Sequence, residues 1–196
     1  MPDADLSLAV PSVFFGAVGT AGQRCTSTRR LYLHRDIASD FLQRLRTLYG
    51  GIKPGDPLLE TTLLGPLHSP AAVKKYTNTI KHLRSIDAEI LAGGRRYTDV
   101  PLDAGYFVQP TIAIPKSVDP TSHIWSTETF APILNVAVFD ELEQAIEWNN
   151  AVPQVSLLLL LFYAFQSVQV ISSGFVEQSL DERYQKSWKM DRSWRV

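Results

Sequence analysis

The chain is organised around the stretch Gly22-Gln23-Arg24-Cys25-Thr26-Ser27-Thr28-Arg29-Arg30, which holds its only cysteine. Apolar residues recur at helical spacing over residues 4–18 before it, and a β-forming run follows over residues 28–33. A thiol between a helix end and a strand, with arginines nearby, has surroundings that favour the nucleophilic thiolate. A lone cysteine is also often a small buried hydrophobe, so the residues alone leave both interpretations open.

The composition indicates a globular protein and argues against several classes of partner. The chain has 196 residues, 45% of them hydrophobic, which is typical of a globular domain with one sizeable core. A net charge of -1 argues against partners such as nucleic acid or an anionic membrane. One cysteine excludes an internal disulfide and fits a reducing compartment. Residues 1–5 lack the basic and apolar regions of a signal or transit peptide, so we expect a cytoplasmic protein.

Helical and extended patterns alternate after the cysteine. The periodicity predicts helices over residues 36–48, 71–85 and 141–149, and strands over residues 88–92, 106–114 and 132–139. Ser69-Pro70 is typical of a helix start, whereas Pro110 indicates an edge, a bulge or a break in its strand. This alternation favours an α/β fold built as an open sheet with flanking helices.

Other functional patterns are weak. His34, His68, His82 and His123 are dispersed without the spacing of metal ligands, so no metal site is expected. The run Gly93-Gly94-Arg95-Arg96 is more typical of a turn than of a phosphate cradle.

The cysteine stretch resembles the catalytic segment of the aldehyde dehydrogenase superfamily. Its Gln-Arg before the cysteine and its Thr-x-Thr-Arg-Arg after it are similar to the antiquitin branch, which oxidises α-aminoadipic semialdehyde. Three more segments resemble the family in the same order: Leu64-Gly65-Pro66-Leu67, Gly105-Tyr106-Phe107-Val108-Gln109-Pro110-Thr111 and Glu128-Thr129-Phe130-Ala131-Pro132-Ile133-Leu134. The resemblance implies an aldehyde dehydrogenase catalytic domain with a mostly parallel sheet.

The resemblance also implies roles for four residues. Cys25 would be the catalytic nucleophile, Glu128 would bind a ribose of the cofactor NAD, and Phe130 would pack near its nicotinamide. Arg24 would face the carboxylate end of the substrate, although it could equally be a surface arginine or part of an internal salt bridge. Without the family, Glu128 would be interpreted as a solvated loop carboxylate and Phe130 as a core residue.

Two parts of the sequence depart from the family pattern. Residues 1–154 fit as a partial catalytic domain, whereas residues 155–196 form a divergent tail without a counterpart, which a frame or splice error would explain. The apolar run 155–165 is too short to span a bilayer, and a buried strand, a buried helix or an aggregation-prone segment are all compatible with it. No Gly-x-Gly-x-x-Gly loop occurs, so the N-terminal dinucleotide-binding domain is expected to be absent, together with the family's general-base glutamate and oxyanion-stabilising asparagine.

Two functional hypotheses follow. The first is NAD-dependent oxidation of a small-molecule aldehyde, a carboxylate-bearing semialdehyde of lysine catabolism, to the carboxylic acid through a cysteine thiohemiacetal and thioester. The second is an inactive truncated remnant that at most pairs with a full-length homologue through exposed strands. The family forms homo-oligomers, but a fragment has less reason to do so.

Overall fold

The computed structural model describes residues 4–99, 102–152, 157–160 and 169–172, the last two ranges as backbone only. The helices in these ranges are α1 (Leu6–Val18), α2 (Arg35–Gly50), α3 (Pro70–Ser85), α4 (His123–Ser126) and α5 (Leu142–Asn150). The strands are β1 (Thr28–His34), β2 (Glu89–Ala92), β3 (Thr111–Ile114), β4 (Ile133–Phe139), β5 (Leu157–Leu160) and β6 (Gln169–Ser172). Short 3-10 turns cover Gly19–Gly22 and Leu102–Ala104.

The described strands form one open sheet in the order β2-β3-β4-β1-β5-β6. The central pairs β3–β4, β4–β1 and β1–β5 are parallel, whereas β2 and β6 join the edges antiparallel. Parallel neighbours need crossover connections, and helices on the sheet faces supply them. The predicted α/β fold with a mostly parallel sheet is therefore confirmed.

Strand β3 is shorter than the predicted run over residues 106–114. It begins at Thr111, directly after Pro110, because proline has no N–H to donate to a ladder. Val108 makes only an isolated bridge with Arg96. Since β3 lies between β2 and β4, the suggestion of an edge strand was wrong, and Pro110 acts as a break.

Part of the predicted tail lies in the sheet. The backbone of Leu157–Leu160 pairs parallel with β1, and Gln169–Ser172 pairs with it in turn. The apolar run 155–165 therefore contributes a strand rather than a helix over these four residues. The remaining tail lies outside the described residues, and the proposed domain boundary at residue 154 stays a prediction.

Strand β1 carries the centre of the core. All its residues except His34 are buried, as expected for a strand covered on both faces. Tyr32 stacks on Trp125 of α4 at 6.1 Å between ring centroids and tilts against Trp148 of α5 at 5.9 Å. Aromatic burial of this kind contributes strongly to stability, so β1 holds the segment before it on a rigid support.

Buried tyrosines make stability sensitive to alkaline pH. Burial raises the pKa of Tyr32 and of Tyr76 to about 12, whereas an unfolded tyrosine titrates near 10. Between these values the unfolded chain loses phenolic protons that the folded chain keeps, so the free energy of unfolding should fall as pH rises from 10 to 12, by about 2 kcal/mol for each tyrosine. Urea unfolding from pH 9 to 11.5 measures this slope. Tyr76→Phe should flatten it, and the exposed control Tyr106→Phe should not; equal slopes in all three proteins would contradict the assignment.

Candidate functional site

The sheet topology brings two distant loops to one place. The loop that carries Cys25 enters β1, and the segment with Glu128 and Phe130 enters β4. Because β1 and β4 are adjacent and parallel, their amino ends lie at the same edge of the sheet. Segments about a hundred residues apart in sequence therefore meet at this edge.

Gly22 is the point at which the two loops touch. Its φ is +68°, and a Cβ built there would lie 2.5 Å from the carbonyl oxygen of Ala131 and 2.8 Å from the nitrogen of Pro132. Thr20 and Ala21, just before it, also have positive φ. Such backbone is costly for residues other than glycine and persists where the surroundings demand it. The chain therefore turns sharply at the end of α1, which places Gly22 against Ala131 and Pro132. We call residues 128–132, which lead into β4, the β4 segment.

Arg29 connects the cysteine loop to the second loop. Its guanidinium donates from Nη2 to the carbonyl oxygen of Arg24 at 2.9 Å and from Nη1 to that of Ser27 at 3.2 Å, so it binds the main chain on both sides of Cys25. Nη1 also lies 3.3 Å from Oε1 of Glu128, and the guanidinium carbon lies 4.3 Å from the ring centroid of Phe130. One buried side chain therefore holds the site together.

The electrostatics of the site are set by buried arginines. Burial lowers the pKa of Arg29, and the Glu128 carboxylate acts in the opposite direction. Burial also lowers the pKa of Arg30, which donates to the carbonyl oxygen of Trp125 at 3.1 Å. Guanidinium stays protonated in proteins, so two positive charges lie beneath the cysteine loop, and the Glu128 carboxylate acts favourably on both of them.

The predicted site residues occupy different positions around this centre. Cys25 is free and exposed. Glu128 has 29% of its side chain exposed, and Phe130 is 36% exposed with a positive φ of 52°. All three lie around Arg29, which contacts Glu128 and Phe130 and binds the main chain on both sides of Cys25. Arg24 instead extends over α1, with its guanidinium carbon 5.5 Å from the ring centroid of Phe15.

Gln23 extends the site to a third loop. Its side-chain amide donates to the carbonyl oxygen of Pro66 at 3.4 Å and accepts from the main-chain N–H of His68 at 3.0 Å. Leu67, the residue before His68, donates its main-chain N–H to the carbonyl oxygen of Tyr106 at 2.9 Å. Hydrogen bonds therefore link the cysteine loop to the loop of Pro66 and His68, and link that loop to Tyr106.

From the sequence, Arg29 was expected only to favour the thiolate through its charge, and Gln23 was assigned no role. A signal for Arg29 was available, since two consecutive arginines in a strand pattern must both be buried when the strand is central, and buried charges need partners. Gln23 carried no such signal, because its partners depend on loop positions that periodicity does not define.

Other features lie away from this site. A cavity of about 630 Å³ is lined by Asp87, Lys116, Val138 and Trp148, towards the carboxyl ends of β3 and β4.

Within the part of the chain that the structure describes, no cluster of His, Cys, Asp and Glu side chains could hold a metal ion. No helix among the described residues is long and apolar enough to cross a membrane.

Comparisons with known proteins give consistent matches. Residues 1–155 match the model of the aldehyde dehydrogenase family. Aldehyde dehydrogenase family 7 member A1 of Pisum sativum is 47% identical over 154 residues, which cover 79% of this chain and 29% of that protein. Alpha-aminoadipic semialdehyde dehydrogenase of Mus musculus is 45% identical over 152 residues, covering 78% and 27%. The chain thus spans about three tenths of the length of these relatives.

Solved structures agree with the fold. Betaine aldehyde dehydrogenase of Staphylococcus aureus in complex with NAD+ superposes with a TM-score of 0.71 at 29% identity, over 79% of this chain and 30% of that one. A mutant aldehyde dehydrogenase of Bacillus cereus superposes with a TM-score of 0.75 at 28% identity, over 83% and 32%.

Proposed function

The chain belongs to the aldehyde dehydrogenase family, and on this premise we propose that it carries the catalytic-cysteine part of an NAD-dependent aldehyde oxidation. The observation that supports this most is that Arg29 contacts Glu128 and Phe130 and also binds the main chain on both sides of the exposed Cys25. The proposal is that this chain performs the whole reaction, although it spans only about three tenths of the length of its relatives.

The proposed chemistry starts at the Cys25 sulfur. The thiolate attacks the aldehyde carbon, a C–S bond forms, and the carbonyl oxygen becomes an oxyanion that the main-chain N–H of Cys25 helps to stabilise, by about 3 kcal/mol for a donor of this kind. Loss of a hydride from the same carbon restores the C=O bond and leaves a thioester. Water then cleaves the C–S bond, which releases the carboxylic acid and the thiol.

Glu128 and Phe130 have the chemistry needed to hold the cofactor. When bound, NAD supplies the acceptor for the hydride. Glu128 uses Oε1 towards Arg29, and because a carboxylate has about four lone-pair sites, it can accept from a ribose hydroxyl while it stays paired. The exposed ring of Phe130 offers an apolar face for a flat heterocycle.

Arg24 supports a substrate that carries a carboxylate. Arg24 precedes Cys25 in sequence, and its exposed guanidinium lies over the ring of Phe15. After turning from that ring towards the site, it would bind a carboxylate in bidentate geometry. We therefore propose a semialdehyde with a carboxylate, of the kind named for the mouse relative, as the substrate. A cytoplasmic location and a role in lysine catabolism belong to the same proposal.

The test is formation of NADH by the purified 196-residue chain, followed by absorbance with α-aminoadipic semialdehyde and NAD. We expect saturable turnover that needs both compounds, and a preference for this substrate over propanal that Arg24→Gln removes. A folded sample without turnover would contradict the proposal. It would favour the alternative that the chain is an inactive remnant. The observation that supports this alternative is that the chain covers only about three tenths of its relatives' length.

A further inference from the structure

The contacts of Arg29 differ from those expected of a residue that only supplies charge. Its side chain is 8% exposed, and it donates to two main-chain carbonyls that flank Cys25. The outer side of its guanidinium meets Glu128 and the ring of Phe130. Arg29 thus lies between the loop with the nucleophile and the residues proposed to hold the cofactor.

We propose that Arg29 is a positioning residue that fixes the Cys25 loop, and that Glu128 and Phe130 in turn fix Arg29. Among the described residues, two further hydrogen bonds lie next to the cysteine: the Ser27 N–H donates to the carbonyl oxygen of Arg24, and the Arg24 N–H donates to the Ser27 hydroxyl, both at 3.1 Å. These bonds close a turn, but they do not tie it to β4. Arg29 adds side-chain bonds to the close contact of Gly22 with Ala131, so the position of Cys25 depends on Glu128.

The planar guanidinium is essential to this role. Its N–H groups point in fixed directions, so one group can bind two carbonyls, a carboxylate and a ring face together. A lysine keeps the positive charge but has a single ammonium at the end of a flexible stem. Arg29→Lys therefore separates a positioning role from a purely electrostatic one.

The rate of trypsin cleavage after Arg24 measures how readily the cysteine loop opens. Arg24 is exposed, but its carbonyl is held by Arg29 and Ser27, and a protease needs a locally opened chain. In the full chain we expect Arg29→Lys and Arg29→Gln to speed cleavage of the Arg24–Cys25 bond by about tenfold, the effect of losing one charge-assisted hydrogen bond. Glu128→Gln should speed it by about threefold.

Cleavage after Arg46 in helix α2, followed by mass spectrometry in the same digest, is the internal reference for global unfolding. The matched control is Arg44→Gln, which removes an exposed arginine paired with Asp40 four residues earlier and should leave the Arg24 cleavage rate unchanged. Wild-type cleavage in Arg29→Lys would overturn the proposal, and so would an equal rise at both sites, because it would indicate general destabilisation.

That Arg29 positions a catalytic nucleophile rests on the proposed function. The trypsin experiment does not, because it needs neither NAD nor aldehyde. A chain without turnover whose loop opens in Arg29→Lys would disprove the activity and keep the coupling. An active chain with an unchanged loop would disprove the coupling alone. In an active chain, Arg29→Lys should lower kcat about tenfold with little change in KM, as expected when the reacting group is misplaced.

Discussion

Cys25→Ser should lower aldehyde-dependent NADH formation by at least about a thousandfold, to the rate without protein. A serine hydroxyl at this position has the same shape but is a far weaker nucleophile than a thiolate, and removal of the nucleophile eliminates the covalent route. Because Cys25 is exposed, the variant should fold with an unchanged melting temperature. Initial rates at saturating substrate measure the effect.

Two controls sharpen this experiment. Arg44→Gln lies on α2, outside the site, and should keep the wild-type rate. Alkylation of the wild-type chain should abolish turnover in proportion to the labelled fraction, since Cys25 is the only cysteine. Turnover by Cys25→Ser within tenfold of wild type would mean that another group attacks the aldehyde.

Gly22→Ala should destabilise the fold by about 2–5 kcal/mol, combining left-handed backbone with overpacking. The added methyl would lie 2.5 Å from the carbonyl oxygen of Ala131, which is backbone and cannot rotate away. The β4 segment would have to move, and Cys25 would be displaced with it. Urea unfolding followed by circular dichroism measures the change in stability.

Gly50→Ala is the matched control for Gly22→Ala. Gly50 is the last residue of α2, and nothing lies within 4 Å of a Cβ built there. Alanine should stabilise the chain by about 0.5 kcal/mol through its helix propensity. If both glycine variants changed stability equally, the close approach at Gly22 would not be the reason.

Local sequence signals predicted most elements of this fold. Helix α3 begins where Ser69-Pro70 predicted, with the Ser69 hydroxyl accepting from the Ala72 N–H at 3.2 Å. Capping and periodicity depend on residues within a few positions of each other, which a single sequence displays. The run predicted to start at residue 106 was too long because Pro110 interrupts the ladder, and before it Val108 forms only an isolated bridge with Arg96, a partner that the pattern does not specify.

The candidate site was predictable in its residue types and not in its connections. Cys25, Glu128 and Phe130 came from a family resemblance, and their roles stay predictions. The contacts of Arg29 follow from β1 and β4 being neighbours, and strand order is a long-range property. The side chain of Arg24 lies over Phe15 because α1 ends beside the cysteine loop, which local patterns do not define.

The contact between Gly22 and Ala131 also has a consequence during synthesis. The cysteine loop emerges from the ribosome roughly a hundred residues before the β4 segment. At about 5–20 residues per second, the loop waits roughly 5–20 s for its support. During this interval the loop that carries Cys25 has not yet packed against the β4 segment. Aldehydes in the cell can therefore react with the Cys25 thiol before the site has folded.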